Sequence, residues 1–253
     1  MNGVETRWGA GSHPGLRRPV NEDSALTAAG LLVVADGMGG HRHGDLASAA
    51  VVRAFQPLAG RAPLSRAALE ATVAEAHAEV SALGEGVPGG VGSTLACLAL
   101  VADERGPEWI IANVGDSRVY RYRAGLLEQF SVDHVATVGG ARPRSMLTRA
   151  MGMAAVLEPV WAADYRASAV VAGDRWLVCS DGLTKELTDA AIAAALATSA
   201  DPQDVVDGLI DAALAAGGRD NVTVAVLDVL ASDRSAVDAA TEDTLVAVRR
   251  DRR

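Results

Sequence analysis

The sequence predicts a four-layer α/β/β/α sandwich, an α+β architecture in which two sheets face each other and helices cover their outer sides. Three observations carry this expectation. Short apolar runs come in two groups separated by helical stretches. The helical stretches are rich in alanine, whose small side chain lets a helix lie close against a sheet. The strand candidates hold few polar positions, so neither face reads as solvated; in 221–229, Val222, Val224 and Val226 alternate with Thr223, Ala225 and Leu227.

Taken in order, strands are expected over 4–10, 31–35, 93–102, 109–114, 119–123 and 126–130, each bounded by Gly, Pro, Asp or Asn. Helices over 45–58 and 65–83 interrupt this group, the second opened by Ser65 as its cap and closed before Gly84. The later group pairs strands over 160–165, 175–180 and 221–229 with helices over 189–198 and 202–216. From Ser232 onward five acids balance five arginines with little apolar content, which reads as a flexible tail over 232–253. Residues 1–231 are then one catalytic-sized domain, since 253 residues with 49% hydrophobic and 22% charged content can fill a single core.

Charge narrows the function. The net charge is −9, and Lys185 is the only lysine, so there is no basic field for a phosphate backbone and no nucleic-acid partner is expected. The longest apolar run, about 95–102, is far short of the roughly 18 residues of a membrane span, and no basic-then-apolar leader opens the chain; a cytoplasmic protein with no membrane span is the expectation. Cys97 and Cys179 sit far apart in apolar runs and read as core residues.

The aspartates carry the chemistry. Apolar runs deliver Asp36-Gly37, Asp116 in Gly115-Asp116-Ser117, and Asp181-Gly182, and two further segments supply Asn21-Glu22-Asp23 and Asp220-Asn221. One Asp-Gly is ordinarily a turn. Five acidic segments at the ends of rigid strands, gathered in one cleft, repel each other unless a cation neutralises them, and oxygen ligands of this kind suit Mg²⁺ or Mn²⁺. The Gly37 carbonyl is a further candidate ligand.

The motifs Arg18-Pro19-Val20-Asn21-Glu22-Asp23, Asp36-Gly37-Met38-Gly39-Gly40-His41, Gly92-Ser93-Thr94 and Asn113-Val114-Gly115-Asp116-Ser117-Arg118 occur in that order. They are followed by Leu147-Thr148-Arg149-Ala150, Cys179-Ser180-Asp181-Gly182-Leu183 and Asp220-Asn221-Val222-Thr223. The set resembles the metal-dependent (type 2C) serine/threonine protein phosphatases, in their bacterial branch, where Met follows the first Asp-Gly. The resemblance implies a central pair of antiparallel sheets and a two-metal cleft. It implies Asp36 between two ions, with the Gly37 carbonyl and Glu22 (through water) on one and Asp181 and Asp220 on the other. Asp116 with Asp181 would hold a weaker third ion, Asp23 and Asn221 would support the site from behind, and Arg18 would grip the substrate phosphate. Its neighbour Arg17 is the alternative. Relatives with His after the first Asp-Gly use it as general acid; Met38 stands there in this chain, leaving a metal-bound water or His41 for that role. His41 and His43 otherwise read as loop residues.

The clearest departure is a flap cut down to about 135–146, twelve residues with Gly139, Gly140 and Pro143 that allow one or two helical turns at most. The expectation is an open cleft beside Asp116 and Asp181 and little discrimination among peptides. The function expected is hydrolysis of phosphoserine and phosphothreonine on proteins by a monomer opposing a bacterial-type protein kinase. A catalytically weak pseudophosphatase acting as a binding module is the alternative, as is a phosphatase of an anti-sigma antagonist or a small phosphometabolite. Thr241 and Thr244 in the tail are candidate phosphorylation sites.

Overall fold

The computed structural model describes residues 3–39, 43–139, 144–153, 162–232 and 245–246. Two sheets stack face to face. One runs β1 (Glu5–His13), β13 (Val222–Ala231), β12 (Arg175–Cys179), β7 (Arg118–Arg123) and β8 (Leu126–Gln129). The other runs β14 (Leu245–Val246), β11 (Asp164–Ala169), β6 (Gly106–Val114), β5 (Leu95–Asp103), β3 (Leu31–Gly39) and β2 (Asp23–Ala28), with β4 (Val91–Ser93) on the far end of β3. Every strand pair in them is antiparallel.

Period-two geometry explains why the strands read as apolar on both faces. In β3, Leu32 and Val34 enter the core between the sheets while Leu31, Val33 and Ala35 face a helical layer. In β12, Trp176 and Val178 point inward and Leu177 and Cys179 outward; in β13, Ala225 and Leu227 point inward and Val224 and Val226 outward. The inter-sheet layer is keyed by Trp176, whose ring lies 6.2 Å from Trp109 and 5.0 Å, edge-on, from Phe130. On one outer side lie α1 (Gly44–Phe55) and α2 (Arg66–Leu83), packed through Val51, Phe55, Leu69 and Val73; on the other lie α4 (Asp189–Leu196) and α5 (Pro202–Ala216), packed through Ile192, Val206, Leu209 and Ala213. These are the four expected layers.

Capping sets the helix starts. Ser65 Oγ accepts from Ala68 N at 3.1 Å, Thr188 Oγ1 from Ala191 N at 3.3 Å, and Asp201 Oδ1 from Gln203 N at 2.8 Å beside Pro202. Several boundaries differ from expectation. The first helix ends at Phe55 and continues as a 3₁₀ turn over Gln56–Leu58, because Pro57 has no N–H to donate. The run 93–102 divides at Thr94 into β4 and β5; of the strand expected over 160–165, residues 160–161 lie outside the described residues, and the described strand there is Asp164–Ala169. Cys97 and Cys179 are free and buried as expected. Of the tail 232–253, only Ser232 and the pair Leu245–Val246, opposite Arg166 and Tyr165, are among the described residues; Thr241 and Thr244 lie outside them.

The short flap is the clearest correction. Instead of helical turns it carries β9 (Val135–Val138) paired antiparallel with β10 (Arg144–Leu147). An extended chain rises about 3.3 Å per residue against about 1.5 Å in a helix, so a short segment reaches further as strand than as helix. Residues 140–143 fall outside the described residues. Among the described residues no helix is long and apolar enough to cross a membrane.

Candidate active site

All five acidic segments end at one edge of the sandwich. Asp23 opens β2 directly opposite Asp36 near the end of β3. Asp116 sits in the turn between β6 and β7, Asp181 starts the single turn α3 (Asp181–Thr184) after β12, and Asp220 and Asn221 precede β13. A cleft of about 260 Å³ collects them: its lining includes Glu22, Asp36, Gly37, Asp116, Asp181 and Asp220, with Arg18 and Asn221 at its sides. Arg17 does not line it. His41 lies outside the described residues, and His43 precedes α1 without capping it.

The backbone that holds these groups is tied at each point. Asp36 N–H donates to Thr94 Oγ1 at 2.9 Å, and the Asp36 carbonyl accepts from Thr94 N at 2.9 Å and Ser93 Oγ at 3.1 Å. Gly37 N–H donates to the Glu22 carbonyl at 3.0 Å, and Glu22 N–H donates to Asn221 Oδ1 at 2.9 Å. Asn221 Nδ2 donates to the carbonyls of Pro14 and Val20 at 3.0 and 2.9 Å, so one amide clamps the loop carrying Arg18 to the loop carrying Asp220. Asp23 is buried behind the cleft, where its Oδ2 accepts from Ser180 Oγ at 2.7 Å.

Two glycines are required by packing. A Cβ on Gly37 would stand 1.8 Å from the Gly44 carbonyl, and one on Gly182 would stand 1.8 Å from the Asn221 carbonyl. Gly182→Ala is therefore expected to destabilise the fold by about 3 kcal/mol, because backbone must move to relieve the overlap. Urea unfolding checks this; a loss under about 1 kcal/mol would show that the α3 turn yields freely.

Electrostatics confirm crowding of like charge. Burial, then repulsion from Asp23, Asp181, Asp116 and Asp220, holds Asp36 well above the usual carboxylate range. Burial and the neighbouring Asp181 push Asp116 up to about 6, and burial does the same to Asp23 despite its Ser180 hydrogen bond. Asp181 is also raised, by burial and then by Asp220, against the pull of Lys185. For Asp220, burial is outweighed by Lys185 and Arg18, which hold it below the ordinary value.

Those two cations are where the structure adds most to the sequence reading. Arg18 meets Asp220 through Nε at 2.9 Å and Nη2 at 3.2 Å. Lys185, which sequence reasoning did not place here, makes an ion pair with Asp181 and another with Asp220 at 3.1 Å. Its signal was the i,i+4 spacing from Asp181 at a helix start. His134 is a second missed residue: buried, its Nδ1 accepts from Gly115 N at 3.0 Å, so its proton is assigned to Nε2, 3.1 Å from Asp164 Oδ2. It steadies the turn that carries Asp116.

Whether the residues suit a divalent cation can be judged from the donors alone. Among the described residues no three His, Cys, Asp or Glu side chains are drawn tightly enough to cage an ion as they stand. The donor set nevertheless fits a hard cation: it is all oxygen, Asp36, Asp116 and Asp181 are raised by burial and by neighbouring carboxylates, and Asp181 Oδ1 and Asp23 Oδ1 are buried with no hydrogen-bond partner.

A sandwich of paired antiparallel sheets with a carboxylate cleft at its edge defines a class shared with known proteins. The sequence pattern of the protein phosphatase 2C family matches residues 20–216, and the chain belongs to that family. It is 36% identical over 244 residues to the serine/threonine protein phosphatase PstP of Mycobacterium tuberculosis, covering 90% of this chain and 46% of that protein. It is 31% identical over 220 residues to the serine/threonine phosphatase stp of Listeria innocua, covering 78% of this chain and 84% of that protein. The chain thus spans about half the length of PstP and most of stp. Among solved structures, the catalytic domain of PstP in complex with two manganese ions superposes with a TM-score of 0.73 at 34% identity, covering 89% of this chain and 99% of that one.

Proposed function

We propose that the chain is a Mn²⁺- or Mg²⁺-dependent phosphatase that hydrolyses phosphoserine and phosphothreonine on proteins, with residues 1–231 as its catalytic domain. The carrying observation is the convergence of five acidic segments on one cleft in a member of the protein phosphatase 2C family. We further assign it a monomeric, cytoplasmic role opposing a protein kinase, in keeping with two buried, unpaired cysteines.

Asp36, the Gly37 carbonyl and Glu22 are the residues to hold one ion and Asp181 and Asp220, with Asp36 between, the other; Asp116 with Asp181 offers a weaker third place. Bound divalent ions supply Lewis-acid charge and ionise a water near neutral pH. The chain's own residues do the rest. Asn221 and Asp23 keep the ligand-bearing loops in register. Arg18, whose guanidinium already presents two donors to Asp220, offers a phosphate the same planar pair at the cleft mouth. Met38, beside Asp36, has no proton to give a leaving group.

Hydrolysis of a chromogenic phosphate ester and a phosphothreonine peptide in Mn²⁺, abolished by chelator, tests this reading; no turnover of either would leave only the binding-module alternative. Arg18→Ala is expected to raise KM about tenfold with a smaller change in kcat, since its task is to bind phosphate. If Arg17→Ala has the larger effect, the phosphate arginine is misassigned.

A further inference from the structure

Beside the carboxylate cleft, and sharing Met38, Asp116, Leu147, Asp181 and Lys185 with it, lies a larger cleft of about 730 Å³. Its other walls are mixed: Val135 and Met146 from β9 and β10, Ala150, and Met153 from the segment that follows give an apolar stripe, bordered by polar residues that include Arg118, Asp133, Thr148 and Arg149. These walls are held from behind. Thr148 N–H donates to the His134 carbonyl at 2.8 Å, Ser93 and Met151 exchange backbone hydrogen bonds at 3.1 and 2.7 Å, and Gly152 N–H donates to His77 Nδ1 at 3.1 Å. Met153 is seated over Gly92, where a Cβ would come within 2.9 Å of its Sδ. The basic groups on the rim are engaged: Arg118 pairs with Asp133 at 2.7 Å and Arg149 with Asp164 at 2.9 Å.

We propose that this second cleft is a subsite for one apolar side chain, such as Leu, Met or Phe, flanking the phosphorylated residue of a protein substrate. The proposal rests on the phosphatase reading above. Continuity of the two clefts commits the occupant to the substrate chain itself, because a peptide with its phosphate at Arg18 and Asp36 passes its neighbouring residue across the shared wall. Met38, Met146 and Met153 are unbranched and polarizable, so the pocket adapts to several apolar shapes. An acidic side chain in the same place would forgo this apolar contact, and the bordering charges, such as Asp133 with Arg118, are already paired. The cut-down flap therefore retains selectivity for one position instead of losing it.

The test is a phosphothreonine peptide panel, in Mn²⁺, in which each flanking position is in turn Leu, Met, Phe, Lys, Asp or Glu, with a chromogenic ester measured alongside. At one flanking position the apolar peptides are expected to exceed the acidic ones about tenfold in kcat/KM, the scale of one partly buried side chain. Met146→Ser and Met153→Ser should each bring that ratio below about threefold; because it is a ratio, general loss of activity cancels. A flat panel with intact ester hydrolysis overturns the subsite and leaves the phosphatase reading standing. A preference that survives both substitutions unchanged also overturns it. Absence of turnover on ester and peptides alike overturns the reading and the subsite together.

Discussion

Asp36→Asn is expected to lower kcat at least about a thousandfold in saturating Mn²⁺, the largest effect of any single substitution in the cleft. Asp36 stands in the cleft opposite Asp23, where burial and then repulsion from Asp23, Asp181, Asp116 and Asp220 act on it. Removing its charge takes away the group both proposed ion positions share, so turnover falls and not merely affinity. The same change should have the opposite effect on the chelated protein. Burial and repulsion make a charge at Asp36 costly in the folded chain, and Asn removes that cost at nearly constant shape, so the melting temperature in chelator should equal or exceed that of the unsubstituted protein. Asp181→Asn and Asp220→Asn should share the kinetic loss. Steady-state kinetics and thermal melts with and without chelator read both effects; near-normal turnover, or a clear drop in melting temperature, would remove Asp36 from the centre of the site.

The second large effect is on pH. Asp23 and Asp116 are raised in the folded chain to about 6 from an ordinary value near 3.8. A carboxyl that binds its proton more tightly when folded adds stability at low pH, and that contribution is lost as pH rises through the folded value. In chelator, then, stability should decline between about pH 4 and pH 6.5, by on the order of 3 kcal/mol for Asp23 alone if its full shift is realised. Mn²⁺ should reverse the trend, because ligation requires ionised carboxylates and its stabilising increment grows as pH rises. Urea melts at pH 5 and pH 7.5, with Mn²⁺ and with chelator, check both halves. An Mn²⁺ increment equal at the two pH values would sever the link between these carboxyls and the metal.

Legibility followed local chemistry. Helix α5 was readable to the residue because Asp201 caps it, Pro202 opens it and Gly217 closes it. Strand β13 was readable because it is mostly apolar and its first eight residues are buried on both faces. β2 was not, since Asp-Ser-Ala-Leu-Thr-Ala carries only a weak apolar pattern and is held by its neighbour β3. β11 was displaced because Arg166 looks like a solvent-facing residue, whereas its guanidinium stacks 3.7 Å from the Phe130 ring. The acidic cluster could be anticipated from five separate strand ends; Asp36, Asp116, Asp181 and Asp220 line one cleft and Asp23 stands behind it. Lys185 carried a local signal in its i,i+4 spacing from Asp181, whereas the position of His134 depends on which loops meet across the edge of the sandwich, which no local pattern encodes.

Lys185 has a practical consequence for labelling chemistry. Every other one of the 23 basic residues is arginine, which acylating reagents do not modify as they do amines. Apart from the α-amino group, an amine-directed acyl donor thus has a single target in this chain, and it stands in the carboxylate cleft. There Asp181 and Asp220 hold the ammonium protonated, its affinity for the proton raised well above the ordinary lysine value, so it reacts slowly. Anything that draws those two carboxylates elsewhere releases the amine, and the mass of one added acyl group then reports the state of the cleft with no substrate present.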